Sequence, residues 1–131
     1  MPARVRKIAL SLALAMATAS ATAQLSSHWR ACTGNPDIDW DTQIKNCTAL
    51  IQSPTEPKEN VAVAFYNRAL AYENKEKYDL AIADFTEAIR LNPNDADAYL
   101  YRGLDRHRTG DKAGGDADIS AAKQLNPNIG K

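Results

Sequence analysis

Apolar residues in the C-terminal two-thirds of the chain recur at the spacing of amphipathic helices. The clearest run has intervals of three and four residues and comprises Tyr78, Ala81, Ile82, Phe85, Ala88 and Ile89. Residues spaced in this way share one face of an α-helix. A similar stripe lies just upstream, at Phe65, Ala69 and Tyr72. The pattern predicts four helices, at about 60–74, 77–91, 95–109 and 112–125.

Polar segments separate the predicted helices. The segment 74–77 reads Asn-Lys-Glu-Lys and suits a tight turn, whereas 92–95 reads Asn-Pro-Asn-Asp. Proline cannot continue a helix interior, and Asn or Asp caps the helix that follows. The expected fold class is therefore all-α, with consecutive helices joined by short turns.

The chain repeats itself at an offset of 34 residues. Leu91-Asn92-Pro93-Asn94 recurs as Leu125-Asn126-Pro127-Asn128. Upstream positions agree at the same offset: Phe65 with Tyr99, Arg68 with Arg102, Ala69 with Gly103, Asp84 with Asp118 and Ala88 with Ala122. An internal period of this length indicates a helical repeat.

Residues 62–95 resemble a tetratricopeptide repeat. They carry its aromatic, small and proline positions at Phe65, Ala69, Tyr72, Ala81, Phe85, Ala88 and Pro93. The resemblance implies antiparallel helix pairs stacked as a short solenoid, with repeats at 62–95 and 96–129 in a domain spanning 60–131. It also implies an interaction module rather than an enzyme.

The second repeat keeps only part of the pattern. Arg106 replaces a tyrosine, Gly115 an alanine and Ile119 an aromatic residue. A glycine inside a helix costs about 1 kcal/mol relative to alanine. We interpret helix 112–125 as an eroded terminal cap, because end repeats need a polar outer face.

Residues 24–59 are interpreted as a degenerate N-terminal helical unit with a linker. An amphipathic helix fits Trp40, Ile44, Cys47, Leu50 and Ile51. Trp40 and Cys47 fall where the second helix of a preceding repeat would place its tyrosine and its aromatic residue. Cys32 would then lie on a short first helix facing Cys47, as in small exported bacterial proteins that this chain resembles.

The first 23 residues have the pattern of a secretory signal peptide. A basic head with Arg4, Arg6 and Lys7 precedes an uncharged stretch, which ends in the small residues 21–23. The alternative is a membrane anchor, although the stretch is barely long enough to span a bilayer. We expect an exported protein, periplasmic or secreted, with no membrane span after cleavage.

Charge disfavours one class of partner. The whole chain has 16 basic and 16 acidic residues. Cleavage after Ala23 would remove three bases and leave 13, for a net charge of −3. Because nucleic-acid binding needs a basic surface, we expect no nucleic-acid partner.

Two cysteines, Cys32 and Cys47, are present. We expect a disulfide between them, because disulfides persist in exported proteins, and a loop of this length would contribute about 3 kcal/mol. Alternatives are two free buried thiols, or a zinc site that includes His28. His107, near Asp105 and Asp111, is interpreted as a solvated residue rather than an acid–base catalyst. We expect no cofactor, and we expect the acidic residues to lie on exposed helix faces.

The resemblance implies a concave groove lined by the first helix of each repeat. Its candidate residues are Val63, Tyr66, Asn67, Leu70, Glu73, Asp97, Leu100, Tyr101, Leu104 and Arg108. Asn67 matches a position of the carboxylate clamp found in some family members. Asp97 and Tyr101 stand where that clamp needs basic residues, so a clamp for a C-terminal carboxylate is not expected.

Three functions follow, in decreasing order of support. The first is an adaptor that holds a segment of a protein partner in this groove. The second is a self-assembling structural component of the cell envelope. The third is a metal-binding or enzyme accessory protein. For Tyr66, Leu100 and Tyr101, packing against neighbouring helices is an equal alternative to partner contact.

Overall fold

The computed structural model describes residues 27–34 and 36–131 and is all-α over this part of the chain. Its helices are α1 (27–33), α2 (Trp40–Ile51), α3 (Lys58–Asn74), α4 (Tyr78–Leu91), α5 (Ala96–Thr109) and α6 (Lys112–Leu125). The four helices expected from apolar spacing are confirmed, with bounds shifted by one or two residues at most. The predicted signal peptide, 1–23, lies outside the described residues. Among the described helices, none combines the length and apolarity that a membrane span requires.

Aspartates start three of the helices. The Oδ1 atom of Asp39 accepts a hydrogen bond from the backbone N–H of Thr42 at 2.9 Å. Asp95 does the same for Ala98 at 3.0 Å at the start of α5, and Asp111 does so for Gly114 at 2.9 Å at the start of α6. Each carboxylate satisfies an N–H that has no partner within its helix, so these side chains fix where the helices begin.

The turns inside the two C-terminal helix pairs use one backbone conformation. Gly110 follows α5 with φ 95°, in the left-handed region. Glu76, 34 residues earlier, adopts φ 57° after α3. Hydrogen bonds from Lys77 N to Tyr72 O at 2.9 Å and from Asp111 N to Arg106 O at 2.8 Å close the two helix ends. Glycine takes this conformation without strain, whereas glutamate does not.

Each described helix from α2 to α6 packs on the next one along the chain. The central core forms around Phe85, with Ala69, Ala81, Ile89 and Ala98 buried against it. Small residues at these positions let the helices approach, and the phenyl ring fills the space between α3, α4 and α5. This is the helix-pair packing expected of a tetratricopeptide-like repeat.

A buried ion pair recurs in both C-terminal helix pairs. Arg68 of α3 donates to both carboxylate oxygens of Asp84 in α4, at 2.7 and 2.8 Å. Arg102 of α5 donates in the same way to Asp118 of α6, at 2.8 and 2.7 Å. The repeated arginines and aspartates of the sequence are therefore partners of each other.

Both arginines also bind the preceding unit. Nη1 of Arg68 donates to Thr48 Oγ1 of α2 at 2.8 Å, and Nη1 of Arg102 donates to Thr86 Oγ1 of α4 at 3.1 Å. Thr48 of α2 therefore binds the α3 arginine in the way that Thr86 of α4 binds the α5 arginine. The N-terminal helix pair joins the stack through the contact that joins the two repeats.

The expectation that acidic residues lie on exposed faces is wrong at three positions. Asp84, Asp105 and Asp118 are buried. Two of them, Asp84 and Asp118, each accept a bidentate pair of charge-assisted hydrogen bonds from an arginine, which compensates their charge. The third, Asp105, belongs to a different cluster, which is described with the candidate site.

The predicted disulfide between Cys32 and Cys47 is confirmed. Both cysteines are fully buried with Leu50 and Ala64, and Trp29 packs on them. Gln43 Nε2 of α2 also donates to the carbonyl oxygen of Cys32 at 2.8 Å. The disulfide therefore attaches the short helix α1 to α2, whereas the helices of the repeats are held together by aromatic packing.

The interpretation of Gly115 as erosion needs correction. A Cβ placed on Gly115 would lie 2.8 Å from the carbonyl oxygen of Gly103. A Cβ on Gly103 would lie 2.9 Å from the carbonyl oxygen of Gly115. Cβ atoms essentially never come so close to backbone atoms, so the two glycines set the separation of α5 and α6. They pack the helices more closely than the alanines of the first repeat could.

Replacing Arg68 with alanine should destabilise the fold strongly. Asp84 would keep its charge in a buried position without a partner, at a cost of about 3 kcal/mol in the free energy of unfolding. Urea denaturation followed by circular dichroism measures this cost. The double variant Arg68→Ala/Asp84→Ala should recover part of it. As a control, Arg90→Ala breaks only an exposed pair with Glu87 and should cost at most about 0.5 kcal/mol.

Gly115→Ala separates helix propensity from packing, because the two effects have opposite signs. Propensity alone predicts a gain of about 1 kcal/mol in stability. Overpacking against the Gly103 carbonyl predicts a net loss of about 1 to 2 kcal/mol. We expect a loss, seen as a lower urea midpoint at unchanged slope. A higher midpoint would show that the close helix approach does not matter.

Candidate functional site

A cavity of about 440 Å³ lies where the ends of α3 and α5 meet the turn before α4. We call it the α3–α5 cavity. Its lining residues are Leu70, Glu73, Asn74, Glu76, Tyr78, Tyr101 and Arg108. Asn74, Glu76 and Arg108 are exposed, so the cavity is in contact with solvent.

Three aromatic rings in mutual contact support one wall of this cavity. Phe85 is fully buried, and the Tyr101 ring stacks on it with centroids 6.0 Å apart. Tyr66 meets the Phe85 ring edge-on at 5.7 Å and the Tyr101 ring edge-on at 6.3 Å. Tyr66 and Tyr101 are half-buried, so they pack on the core and keep part of their surface available. Packing and partner contact are therefore compatible at both positions.

Arg108 links the two repeats across the cavity. Its Nη1 donates to Glu73 Oε1 of α3 at 2.6 Å and to Asp105 Oδ1 of α5 at 2.7 Å. Its guanidinium carbon also lies 5.3 Å from the centroid of the Tyr78 ring. Two carboxylates and an aromatic face thus hold this cation in one place.

Asp105 lies beneath Arg108 and is fully buried. Its Oδ2 is the one buried side-chain polar atom that lacks a hydrogen-bond partner in the described part of the chain. Burial raises the pKa of Asp105 to about 6, although the hydrogen bond from Arg108 acts in the opposite direction. The corresponding position of the first repeat is Ala71, which is also fully buried. The second repeat therefore carries an ionisable group where the first carries a methyl group.

Negative charge surrounds Tyr66. Burial is the main cause that raises the pKa of its hydroxyl, and nearby Tyr101 adds to the effect. The carboxylates of Asp97, Asp95 and Glu73 raise it further. Acidic groups of α3, of α5 and of the α4–α5 connection therefore act on the Tyr66 hydroxyl.

The structure brings together four of the ten predicted groove residues at the cavity: Leu70, Glu73, Tyr101 and Arg108. Tyr66 joins them through its ring contact with Tyr101. Val63 and Asp97 are exposed on α3 and α5, whereas Leu100 and Leu104 are half-buried; none of the four lines the cavity. Asn67 donates its Nδ2 to the Val63 carbonyl oxygen at 2.9 Å, a bond within its own helix.

Sequence reasoning missed three lining residues: Asn74, Glu76 and Tyr78. Asn74 follows Leu70 by four residues, so extending the α3 stripe by one turn would have found it. Glu76 and Tyr78 come from the turn and from the next helix. A search restricted to first helices could not include them.

The residues considered for metal or acid–base chemistry have other roles. Cys32 and Cys47 are joined, and His28 Nδ1 makes a hydrogen bond with Asn46 Oδ1 at 2.7 Å. Within residues 27–34 and 36–131, no three His, Cys, Asp or Glu side chains are placed to hold a metal ion. His107 is half-buried and pairs with Asp116 at 2.9 Å, packing over Gly115 rather than being fully solvated.

Asp105 should make stability depend on pH. Its pKa is about 6 in the folded chain against 3.8 in the unfolded one, so the folded state binds more protons between these values. Stability should therefore fall as pH rises from about 4 to about 6, and then level off. Relative to Asp105→Asn, the wild type should lose on the order of 2 kcal/mol across this range.

Urea denaturation of both proteins at several pH values tests this expectation. Asp79→Asn is the matched control, because it removes an exposed carboxylate from α4. A difference between wild type and Asp105→Asn that stays constant from pH 4 to pH 7 would contradict the assigned burial effect.

The comparisons with known proteins concern the segment that forms α3, α4 and the connection to α5. The family model described as tetratricopeptide repeat matches residues 62–95. No curated protein matches the chain. The matched residues include the aromatic and small positions that form the core around Phe85, and both members of the Arg68–Asp84 pair. This match supports the assignment of the segment 62–95 to a tetratricopeptide repeat.

Proposed function

We propose that the chain is an exported adaptor, which holds a segment of a partner protein on the surface shared by α3 and α5. The observation that carries this proposal is the α3–α5 cavity, whose lining comes from two successive helix pairs. A tetratricopeptide repeat suggests a protein-interaction module, and stacked helix pairs offer such a surface to a partner segment. No turnover and no cofactor are part of this function.

The side chains of the cavity suit binding because they are already fixed. Tyr101 is held by stacking on Phe85, and Arg108 is held by Glu73 and Asp105. Side chains that are ordered before binding lose little conformational entropy when a partner arrives. Aromatic and arginine side chains are also the residue types that contribute most at protein interfaces.

Export is proposed from two features. The first 23 residues have the charge and apolar pattern of a cleaved signal peptide. The Cys32–Cys47 disulfide suits an oxidising compartment, in which such bonds persist. A periplasmic or secreted location in a bacterium would expose the cavity to other envelope proteins.

Asn74→Trp tests the cavity without adding charge. Asn74 is an exposed residue at the end of α3, so a large ring there should fill the cavity and leave the core unchanged. Partner recovery from an envelope fraction should fall about tenfold, which corresponds to about 1.4 kcal/mol of binding free energy. Pulldown with the immobilised mature chain and quantitative mass spectrometry measures it.

Gln124→Trp provides the control, because it adds the same ring at an exposed position on α6. Recovery should be unchanged in that variant. Equal recovery with Asn74→Trp and wild type would remove the cavity from the proposed function. Recovery of only further copies of this chain would favour self-assembly over an adaptor.

A further inference from the structure

Carboxylates outnumber cations in and around the α3–α5 cavity. Glu73 and Glu76 line it, and Asp105 lies directly beneath Arg108. The cation that lines it is Arg108. Asp95 and Asp97, at the start of α5, add further negative charge beside Tyr66. Two carboxylates and one cation therefore line the cavity.

Arg108 cannot attract an anionic partner effectively. One of its nitrogens already donates to Glu73 and Asp105, at 2.6 and 2.7 Å. Its positive charge is compensated inside the chain before any partner arrives. An acidic segment would meet the remaining carboxylates, and like charges brought together at an interface oppose binding.

The aromatic walls suit a cation as well. Tyr78 already receives the Arg108 guanidinium at 5.3 Å from its ring centroid, and Tyr101 lines the same cavity. Cations are attracted to the faces of aromatic rings, most strongly where water is partly excluded. The cavity offers this aromatic surface together with the exposed carboxylate of Glu76, whereas Glu73 is already bonded to Arg108.

We propose that the α3–α5 cavity accepts a lysine or arginine side chain from a basic, extended segment of the partner protein. Glu76 pairs with the charged end, and the rings of Tyr78 and Tyr101 contact the aliphatic stem. This proposal names the partner's chemistry and rests on the proposed adaptor function.

Glu76 fits this assignment through its backbone. It is the one non-glycine residue with a positive φ in the described part of the chain, and its counterpart in the second repeat is Gly110. Glycine at position 76 would relieve the strain, at the loss of a carboxylate in the cavity. The chain therefore carries the Glu76 carboxylate at a position where backbone conformation alone would favour glycine.

Fluorescence anisotropy with three labelled peptides tests the proposal. The peptides repeat Ala-Lys-Leu, Ala-Gln-Leu or Ala-Glu-Leu and differ only in charge. The lysine peptide should bind the mature protein more tightly than the glutamine peptide, and the glutamate peptide should bind weakest. Glu76→Gln should weaken binding of the lysine peptide about fivefold at low ionic strength, with a smaller effect at high salt.

Glu87→Gln is the matched control, since it removes the same charge from an exposed position on α4. It should leave the affinity of the lysine peptide unchanged. Amide chemical shifts of Leu70, Asn74 and Tyr101 should change on titration of the wild type with that peptide. Shifts confined to other parts of the chain would place the peptide elsewhere and overturn the assignment.

Equal affinities for all three peptides, tighter binding of the glutamate peptide, or no binding would each overturn the proposal. None of these results decides the adaptor function, because the Asn74→Trp pulldown tests that function with the natural partner. A partner whose binding depends on Asn74 but is insensitive to Glu76→Gln would support the adaptor function and reject the basic segment.

Discussion

One interaction, an arginine shared between three helices, organises the stack. Arg68 binds both oxygens of Asp84 within its own helix pair, and it also donates to Thr48 of the preceding pair. The guanidinium lies 5.5 Å from the ring centroid of Phe65, so it covers the aromatic residue as well. A planar fork with several donors can serve all these partners at once, which a lysine could not do. Repetition of the arrangement at Arg102 sets the same relation between successive pairs along the chain.

The sequence was sufficient for the helices and for their order. Apolar spacing and the 34-residue offset can be read directly along the sequence, because both reflect the local geometry of a helix and of a repeat. The offset also paired Arg68 with Arg102 and Asp84 with Asp118, but it did not show that arginine and aspartate bind each other. Charged residues are normally solvated, and the burial of these pairs depends on how α3 packs on α4 and α5 packs on α6. Gly115 shows the same limit: its cost to the helix can be computed locally, whereas its contact with Gly103 exists only once α5 and α6 have met.

The candidate site was predictable in part for a similar reason. First-helix positions found Leu70, Glu73, Tyr101 and Arg108, because a helical stripe can be extended by counting. The cavity also takes Glu76 from a turn and Tyr78 from a second helix. Their approach follows from the sharp reversal at Glu76, where the backbone adopts a conformation that glutamate does not favour. A pattern of residue types gives no indication of such a reversal unless the residue is glycine, asparagine or aspartate.

The unfavourable local features of the fold are concentrated in one region. Asp84 and Asp118 are buried but fully paired, and the capping aspartates all have backbone donors. Asp105, by contrast, keeps an oxygen without a partner and shares a single arginine nitrogen with Glu73. Glu76, a few residues along the chain from Glu73, has the strained backbone. Each feature costs on the order of 1 kcal/mol, and alanine and glycine at the equivalent repeat positions show that the fold does not need either of them. These unfavourable groups lie around one solvent-exposed cavity, and the fold does not require them. Such a concentration is expected where selection acts on a binding surface rather than on stability.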